Sequence, residues 1–326
     1  VKCTNKIKAG VVSCLLILSL TLFGCGSLAY SFPYDRSSLV SGFKAVDQIS
    51  TGKATPYAAN LCVVSENKLD NNINMGETCS ACLFDVNNNS CLYSLNAHEK
   101  VNPASLTKIM TALVAVKYGS LDQVLTATSN IKITETGAQT MDLKAGDTMT
   151  LDQALHILLI HSDNDVAMLV AENIGGTIDA FIGLMNDEAK RIGATNTHFV
   201  NPHGLTEEEH YTTAYDMYLI FNEAIKYEAI TQILNLSNYE TSYNQSGGFP
   251  KEVSYRTTNL FLRGEKKAPS NVTVIGGKTG TTLAAGHCLI LLSKNTEGKP
   301  FISVIMKAPS TETLYDQMIT LLELIP

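Results

Sequence analysis

The sequence predicts an α+β fold: an antiparallel sheet flanked by helices, with an inserted, mainly helical subdomain. Three observations carry this. Strand-like segments lie near both ends of the globular region, at 81–94 and 271–306. A block of helix-period segments separates them, and a last amphipathic segment closes the chain. Chain ends that both supply strands imply one sheet interrupted by the helices, and a cleft between the two parts is the natural place for a site.

The elements follow in order. Ala81-Cys82-Leu83-Phe84 and Cys91-Leu92-Tyr93-Ser94 flank Asp85-Val86-Asn87-Asn88-Asn89. Asparagine tolerates positive φ, so this reads as a hairpin. Leu61-Cys62-Val63-Val64 reads as a strand ahead of it. Leu106, Ile109, Met110, Leu113 and Val114 recur at helical spacing up to Gly119. The segment 124–127 suits a short strand. Thr150 can cap a helix with Leu151, Ala154, Leu155, Leu158 and Leu159 on its inner face, stopping near His161. Further helices are predicted over 165–175, 180–192 and from Thr212 or Thr213 to Ile225. Asn201-Pro202-His203-Gly204-Leu205 forms a compact loop before the last of these. Strands follow at 271–275, 287–292 and 301–306, and a helix at 311–324.

The chain has 326 residues, 45% hydrophobic and 17% charged, which suffices for a sizeable core. A net charge of −7 with no basic run beyond the N-terminus excludes nucleic acid as a partner. Lys2, Lys6 and Lys8 precede an apolar stretch from Ala9 to Gly24, the pattern of an export signal too short for a comfortable membrane span. The expected organisation is a signal peptide over 1–25, a tether over 26–60 and a catalytic domain over 61–326, its helical subdomain at about 120–235. Leu22-Phe23-Gly24-Cys25 resembles a bacterial lipobox, which makes Cys25 a lipidation candidate; Phe23 is bulkier than usual there. Ser27-Leu28-Ala29 is a rival cleavage site, and an uncleaved anchor is a third possibility.

Of eight cysteines, Cys62, Cys79, Cys82, Cys91 and Cys288 fall in the expected domain. Cys79-Ser80-Ala81-Cys82 has no second C-x-x-C and no His pair to complete a zinc site, so no metal is expected. Outside the cytosol a structural disulfide is the better expectation, with Cys288 a buried free thiol.

Three short motifs carry chemistry. Ser105-Leu106-Thr107-Lys108 opens the first helix, and a spacing of three puts hydroxyl and amine on one face, as a nucleophile beside its base. Ser-x-x-Lys occurs five times in this chain, and each copy alone reads as a helix cap and a solvated lysine. Ser162-Asp163-Asn164 stands at a helix break, where a capping role is the simpler reading. Lys278-Thr279-Gly280 follows a strand; a phosphate loop would need glycine at Val272 and a helix afterwards, so nucleotide binding is discarded.

Taken in order, the three motifs are a known signature of penicillin-binding proteins and class A β-lactamases. The chain resembles the serine D-alanyl-D-alanine carboxypeptidases, the low-molecular-mass penicillin-binding proteins, from about Cys79 onward. The likeness includes Pro103-Ala104-Ser105-Leu106-Thr107-Lys108-Ile109-Met110, the 201–205 loop, and Gly277-Lys278-Thr279-Gly280-Thr281 with Ala285-Gly286 beyond. The resemblance implies the penicillin-binding protein/β-lactamase-like transpeptidase fold and no cofactor. It implies Ser105 as acyl-ester nucleophile, Lys108 as general base and Ser162 as proton relay. Asn164, Lys278, Thr279, Gly280 and Thr281 would bind substrate, the Thr281 N–H serving an oxyanion hole with that of Ser105. It also implies a peptidoglycan stem peptide ending in D-Ala-D-Ala as substrate, β-lactams as inhibitors, and action at the outer face of the bacterial cytoplasmic membrane or in the cell wall. The likeness ends with the last helix, without the C-terminal β-domain and anchor of some relatives, so membrane attachment is expected through the N-terminus.

One departure and two rival readings bear on this. Asp163 stands where relatives often carry glycine and class A β-lactamases carry aspartate. A class A β-lactamase also needs a deacylating glutamate in Glu-x-x-Leu-Asn, and no such pentapeptide follows Ser162. A β-lactam or peptide sensor that stays acylated is the non-enzymatic alternative.

Overall fold

A computed structural model of the chain describes residues 60–70, 73–75 and 79–326. The expected signal peptide, Cys25 and the 26–59 part of the tether lie outside the described residues.

Five strands form the main sheet in the order β2-β1-β9-β8-β7, all antiparallel. They are β1 (Ser80–Asp85), β2 (Ser90–Leu95), β7 (Val272–Thr282), β8 (Gly286–Asn295) and β9 (Pro300–Ala308). Side chains alternate between its faces. Ala81, Leu83, Leu289 and Leu291 pack with Leu314, Tyr315 and Met318 of the closing helix, Thr311–Leu322. Cys82, Phe84, Ile290 and Leu292 face the helical block. Strands buried on both sides read as continuous apolar runs, which is why β8 and β9 stand out in the sequence.

The insertion between β2 and β7 carries the helices α1 (Thr107–Tyr118), α2 (Leu151–Ile160), α3 (Asn164–Gly175), α4 (Ile178–Ile192), α5 (Ala214–Ala224) and α6 (Glu228–Leu234); the closing helix is α7. In α1, Ile109, Met110, Leu113 and Val114 are fully buried, each contributing about 2 kcal/mol by burial. Thr150 caps α2 in a capping box: its hydroxyl accepts from the Gln153 N–H and the Gln153 side chain accepts from the Thr150 N–H.

The architecture is the α+β arrangement expected, with three differences in detail. First, 61–64 is not a strand. The Cys62 N–H donates to the Tyr218 hydroxyl and the Tyr215 hydroxyl donates to the Cys62 carbonyl, so side chains of α5 hold this segment in place of a ladder. Second, a four-stranded sheet, β3-β4-β5-β6, escaped the sequence reading beyond its first strand. Its members are β3 (Val124–Thr126), β4 (Thr148–Thr150), β5 (Asn238–Asn244) and β6 (Pro250–Arg256). Third, the expected structural disulfide does not form among the described residues: Cys62, Cys79, Cys82, Cys91 and Cys288 are all free. Cys79 packs on the α7 side of the sheet and Cys82 on the helical side, as an odd spacing along an extended chain requires.

Candidate active site

Ser105 sits in a one-turn 3-10 helix, Ala104–Leu106, that runs straight into α1. Ala104 has φ +48, a left-handed conformation at a non-glycine residue. Local bonds hold it there. The Val200 N–H donates to His210 Nδ1, leaving Nε2 to donate to Thr107 Oγ1, 2.9 Å away, and the Thr107 hydroxyl donates to the Ala104 carbonyl at 2.8 Å. This chain needs a neutral ring, and burial pushes the His210 pKa down to about 3.

The 201–205 loop closes on the same turn. Asn201 Oδ1 accepts from the Gly204 N–H at 2.7 Å, and Thr111 donates to the Pro202 carbonyl at 2.6 Å. Gly204 has φ +90, and a Cβ there would lie 1.9 Å from the Ala104 carbonyl oxygen. Only glycine permits this approach. On the opposite side, a Cβ at Gly280 would meet the Ser105 nitrogen at 2.9 Å, so a bare Cα lets β7 lie against the nucleophile turn.

Lys108 is fully buried, and its Nζ has three partners: Ser105 Oγ at 2.9 Å, Asn164 Oδ1 at 2.7 Å and the His203 carbonyl at 2.7 Å. Burial, then the nearby Lys278 charge, hold its pKa well below the ordinary lysine value, against a smaller opposing pull from Asp163 and Asp165. The neutral amine has two N–H donors and one lone pair. The Asn164 and His203 carbonyls can only accept, so they take both donors. Ser105 is the one partner able to donate, so a neutral Lys108 amine can turn its lone pair to that hydroxyl. Such an arrangement can act as a base beside a nucleophile.

Lys278 lies within β7 and is also fully buried. Its Nζ donates to Ser162 Oγ at 2.9 Å and to the Thr279 carbonyl at 3.0 Å. Burial lowers its pKa to about 7, with Asp163 pulling the other way. Ser162 links α2 to α3 with φ +78, a strained conformation that aims its hydroxyl at Lys278. Asp163 is fully buried and its carboxylate lies 2.9 Å from His161 Nδ1; the His161 ring packs on Tyr255 with centroids 4.3 Å apart.

Ser105, Ser162, Thr279, Gly280 and Thr281 line one cleft of about 260 Å³, with Lys108, Asn164 and Lys278 immediately behind them. All eight sequence-predicted site residues within the described residues therefore meet. The other Ser-x-x-Lys copies there do not: Lys68 donates to the Cys91 carbonyl on the surface, and Ser129 opens an exposed turn. Several contributors escaped the sequence reading. Gln139 lines the cleft and its carbonyl accepts from the Asn164 N–H at 2.8 Å. Thr258 bonds Thr279, Oγ1 to Oγ1. The His203 carbonyl, Gly204 and His210 also act here, inside a loop whose sequence gave resemblance but no role.

Comparison with known proteins agrees with this geometry. The D-alanyl-D-alanine carboxypeptidase family, peptidase S11, matches residues 68–310. The chain belongs to that family. It is 35% identical over 221 residues to the D-alanyl-D-alanine carboxypeptidase DacF of Bacillus subtilis, covering 67% of this chain and 54% of DacF. It is 33% identical over 246 residues to DacC of Escherichia coli, covering 72% of this chain and 58% of DacC. The chain thus spans little more than half the length of these two relatives. Among solved structures, the Streptomyces K15 DD-transpeptidase superposes with a TM-score of 0.69 at 25% identity, over 75% of this chain and 95% of that one. Membership places the two-lysine cleft within the penicillin-binding fold.

Proposed function

We propose that the protein is a serine D-Ala-D-Ala carboxypeptidase that removes the terminal D-Ala from peptidoglycan stem peptides and is acylated by penicillin. The observation that carries this is the fully buried Lys108 Nζ 2.9 Å from Ser105 Oγ, where burial holds its pKa well below the ordinary lysine value.

Ser105 Oγ attacks the carbonyl carbon of the penultimate D-Ala while its proton passes to Lys108 Nζ. The Ser105 and Thr281 N–H groups hold the developing oxyanion, a stabilisation whose loss costs about 10²–10³-fold elsewhere. The C–N bond then breaks, and the leaving D-Ala amine takes a proton through Ser162 from Lys278, 2.9 Å behind it. Lys108 then gives up its proton, and a proton returns to Lys278. The neutral Lys108 amine takes a proton from the water that attacks the acyl-enzyme carbonyl; that proton goes back to Ser105 Oγ as the ester C–O bond breaks. Asn164 fixes Lys108 and receives the peptide backbone, while Thr279 and Gly280 form the strand wall against which substrate lies. The N-terminal leader would export the protein and attach it at the outer face of the cytoplasmic membrane, with lipid at Cys25.

Incubation with diacetyl-Lys-D-Ala-D-Ala tests the reading. Free D-Ala should be released, and Ser105→Ala should abolish both release and penicillin labelling. Penicillin turnover faster than peptide cleavage would instead identify a β-lactamase. Stoichiometric acylation without peptide cleavage would identify a sensor. Likeness to a DD-transpeptidase adds one further reading, transfer of the acyl group to an amine, which appears as a new peptide product when glycine is added as acceptor.

A further inference from the structure

Ser162, the proposed carrier of the leaving-group proton, works from a strained position. It follows the last turn of α2, where its N–H and that of His161 both donate to the Ile157 carbonyl, at 3.1 and 3.0 Å. Its φ of +78 is the left-handed conformation that helix ends ordinarily give to glycine. A serine adopts it at a cost, so neighbouring contacts have to hold it there.

One side-chain bond joins the two residues that flank Ser162. Asp163 is the N-cap of α3, yet its carboxylate makes no capping bond to that helix; the Val166 N–H donates to Asp165 instead, at 3.0 Å. The Asp163 carboxylate reaches back past Ser162, and its two oxygens lie 3.0 and 2.9 Å from His161 Nδ1. A carboxylate only accepts, so Nδ1 carries a hydrogen whatever the charge on the ring. The ring is fixed from two further sides. It packs on Tyr255, centroids 4.3 Å apart, and its Nε2 lies 2.9 Å from the Gln139 side-chain nitrogen. The Thr258 N–H, just beyond β6, donates to the Ile160 carbonyl at 3.3 Å and ties that strand to the end of α2. With His161 removed, the carboxylate is free to cap α3 and Ser162 is free to leave its strained conformation. Resting on the carboxypeptidase reading, we propose that His161 is a positioning residue: its bond to Asp163 locks Ser162 with the hydroxyl 2.9 Å from Lys278 Nζ, and so governs protonation of the leaving amine.

Two substrates that give the same acyl-enzyme separate this from a role in folding. Diacetyl-Lys-D-Ala-D-Ala expels an amine, which has to be protonated as the C–N bond breaks. The thioester of diacetyl-Lys-D-Ala with thioglycolate expels a weakly basic thiolate, which takes the C–S electron pair and leaves without a proton. In the full chain, His161→Ala should lower kcat/KM about 10²-fold for the peptide, the scale of a displaced general acid, and by less than about threefold for the thioester. His161→Asn, whose amide can donate to Asp163 in place of Nδ1, should recover about tenfold of the loss. His161→Phe keeps a ring against Tyr255 without a donor. It should behave as His161→Ala does, and it carries the same test should the alanine variant not fold. Equal losses on both substrates would show that His161 serves the fold alone, and would overturn the proposal. So would an undiminished peptide rate, or an asparagine variant no better than the phenylalanine one. Failure of the protein without substitutions to release D-Ala is a separate result, which removes the carboxypeptidase reading.

Discussion

The two ends of the cleft are built in opposite ways. At the nucleophile end nearly every polar group is already bonded within the protein: Lys108 to three partners, Thr107 between His210 and Ala104, Asn164 between Lys108 and Gln139. At the far end, Thr281 and Thr311 are exposed and His287 is half-buried, and their hydroxyls and imidazole are bonded only loosely to one another at the surface, at 3.1–3.3 Å. A charge-transfer step gains from groups fixed before substrate arrives, because nothing then has to reorganise in the transition state. A recognition step needs groups that can exchange water for ligand. Damage at the first end should therefore reach the chemistry, and damage at the second should reach binding.

The largest effect is expected for Lys108→Ala. It removes the base and leaves Asn164 and the His203 carbonyl without their donor, so penicillin acylation should slow by about 10³-fold. Stopped-flow acylation reads this directly. A loss below tenfold would show that Lys108 is not the base and would dissolve the contrast. Gly204→Ala comes next. The added methyl meets backbone at 1.9 Å, so the 201–205 loop or the Ser105 turn must move. We expect about 3 kcal/mol of lost stability by thermal denaturation. In whatever stays folded, acylation should be about 10²-fold slower, since displacement by a fraction of an ångström suffices. Normal acylation in a destabilised variant would mean that the loop supports the fold and not the nucleophile.

How far the sequence shows this depends on the kind of signal. β8 and β9 are continuous apolar runs, and the three motifs supply side chains whose types are scarce in combination, so the main sheet and the eight clustered residues are legible. The β5–β6 hairpin is not, although Tyr239, Thr241 and Tyr243 alternate and Gly247-Gly248 marks a turn; both of its strands are polar on their exposed faces, which weakens the pattern. Leu61 to Val64 erred the other way, being apolar but held by tyrosine hydroxyls. The His203 contribution is a backbone carbonyl, which any residue could supply. Gln139 and Thr258 matter only because of where the fold carries them. The continuation of β7 through Gly276, Gly277 and Gly280 runs against strand propensity, and the close approach of neighbouring backbone accounts for it.

Asp163 joins the two ends and gives the smallest, most diagnostic effect. Its buried carboxylate raises the pKa of both lysines against burial, and Lys278 settles at about 7. On the carboxypeptidase reading, Lys278 is cationic below that pH and can supply the proton that leaves with D-Ala; above it the proton is lost. In the free enzyme kcat/KM should fall as pH rises through about 7. Asp163→Asn removes the opposing charge, lowers the Lys278 pKa further and moves that alkaline limb to lower pH. At pH 7.5 the rate should drop about threefold, and at pH 6 hardly at all, the behaviour of a neighbouring charge of opposite sign. The Lys108 pKa moves in the same direction, because Asp163 opposes its lowering too. A uniform loss at every pH would mean that Asp163 acts only by holding His161 and the α2–α3 break in place, and that the proton comes from elsewhere.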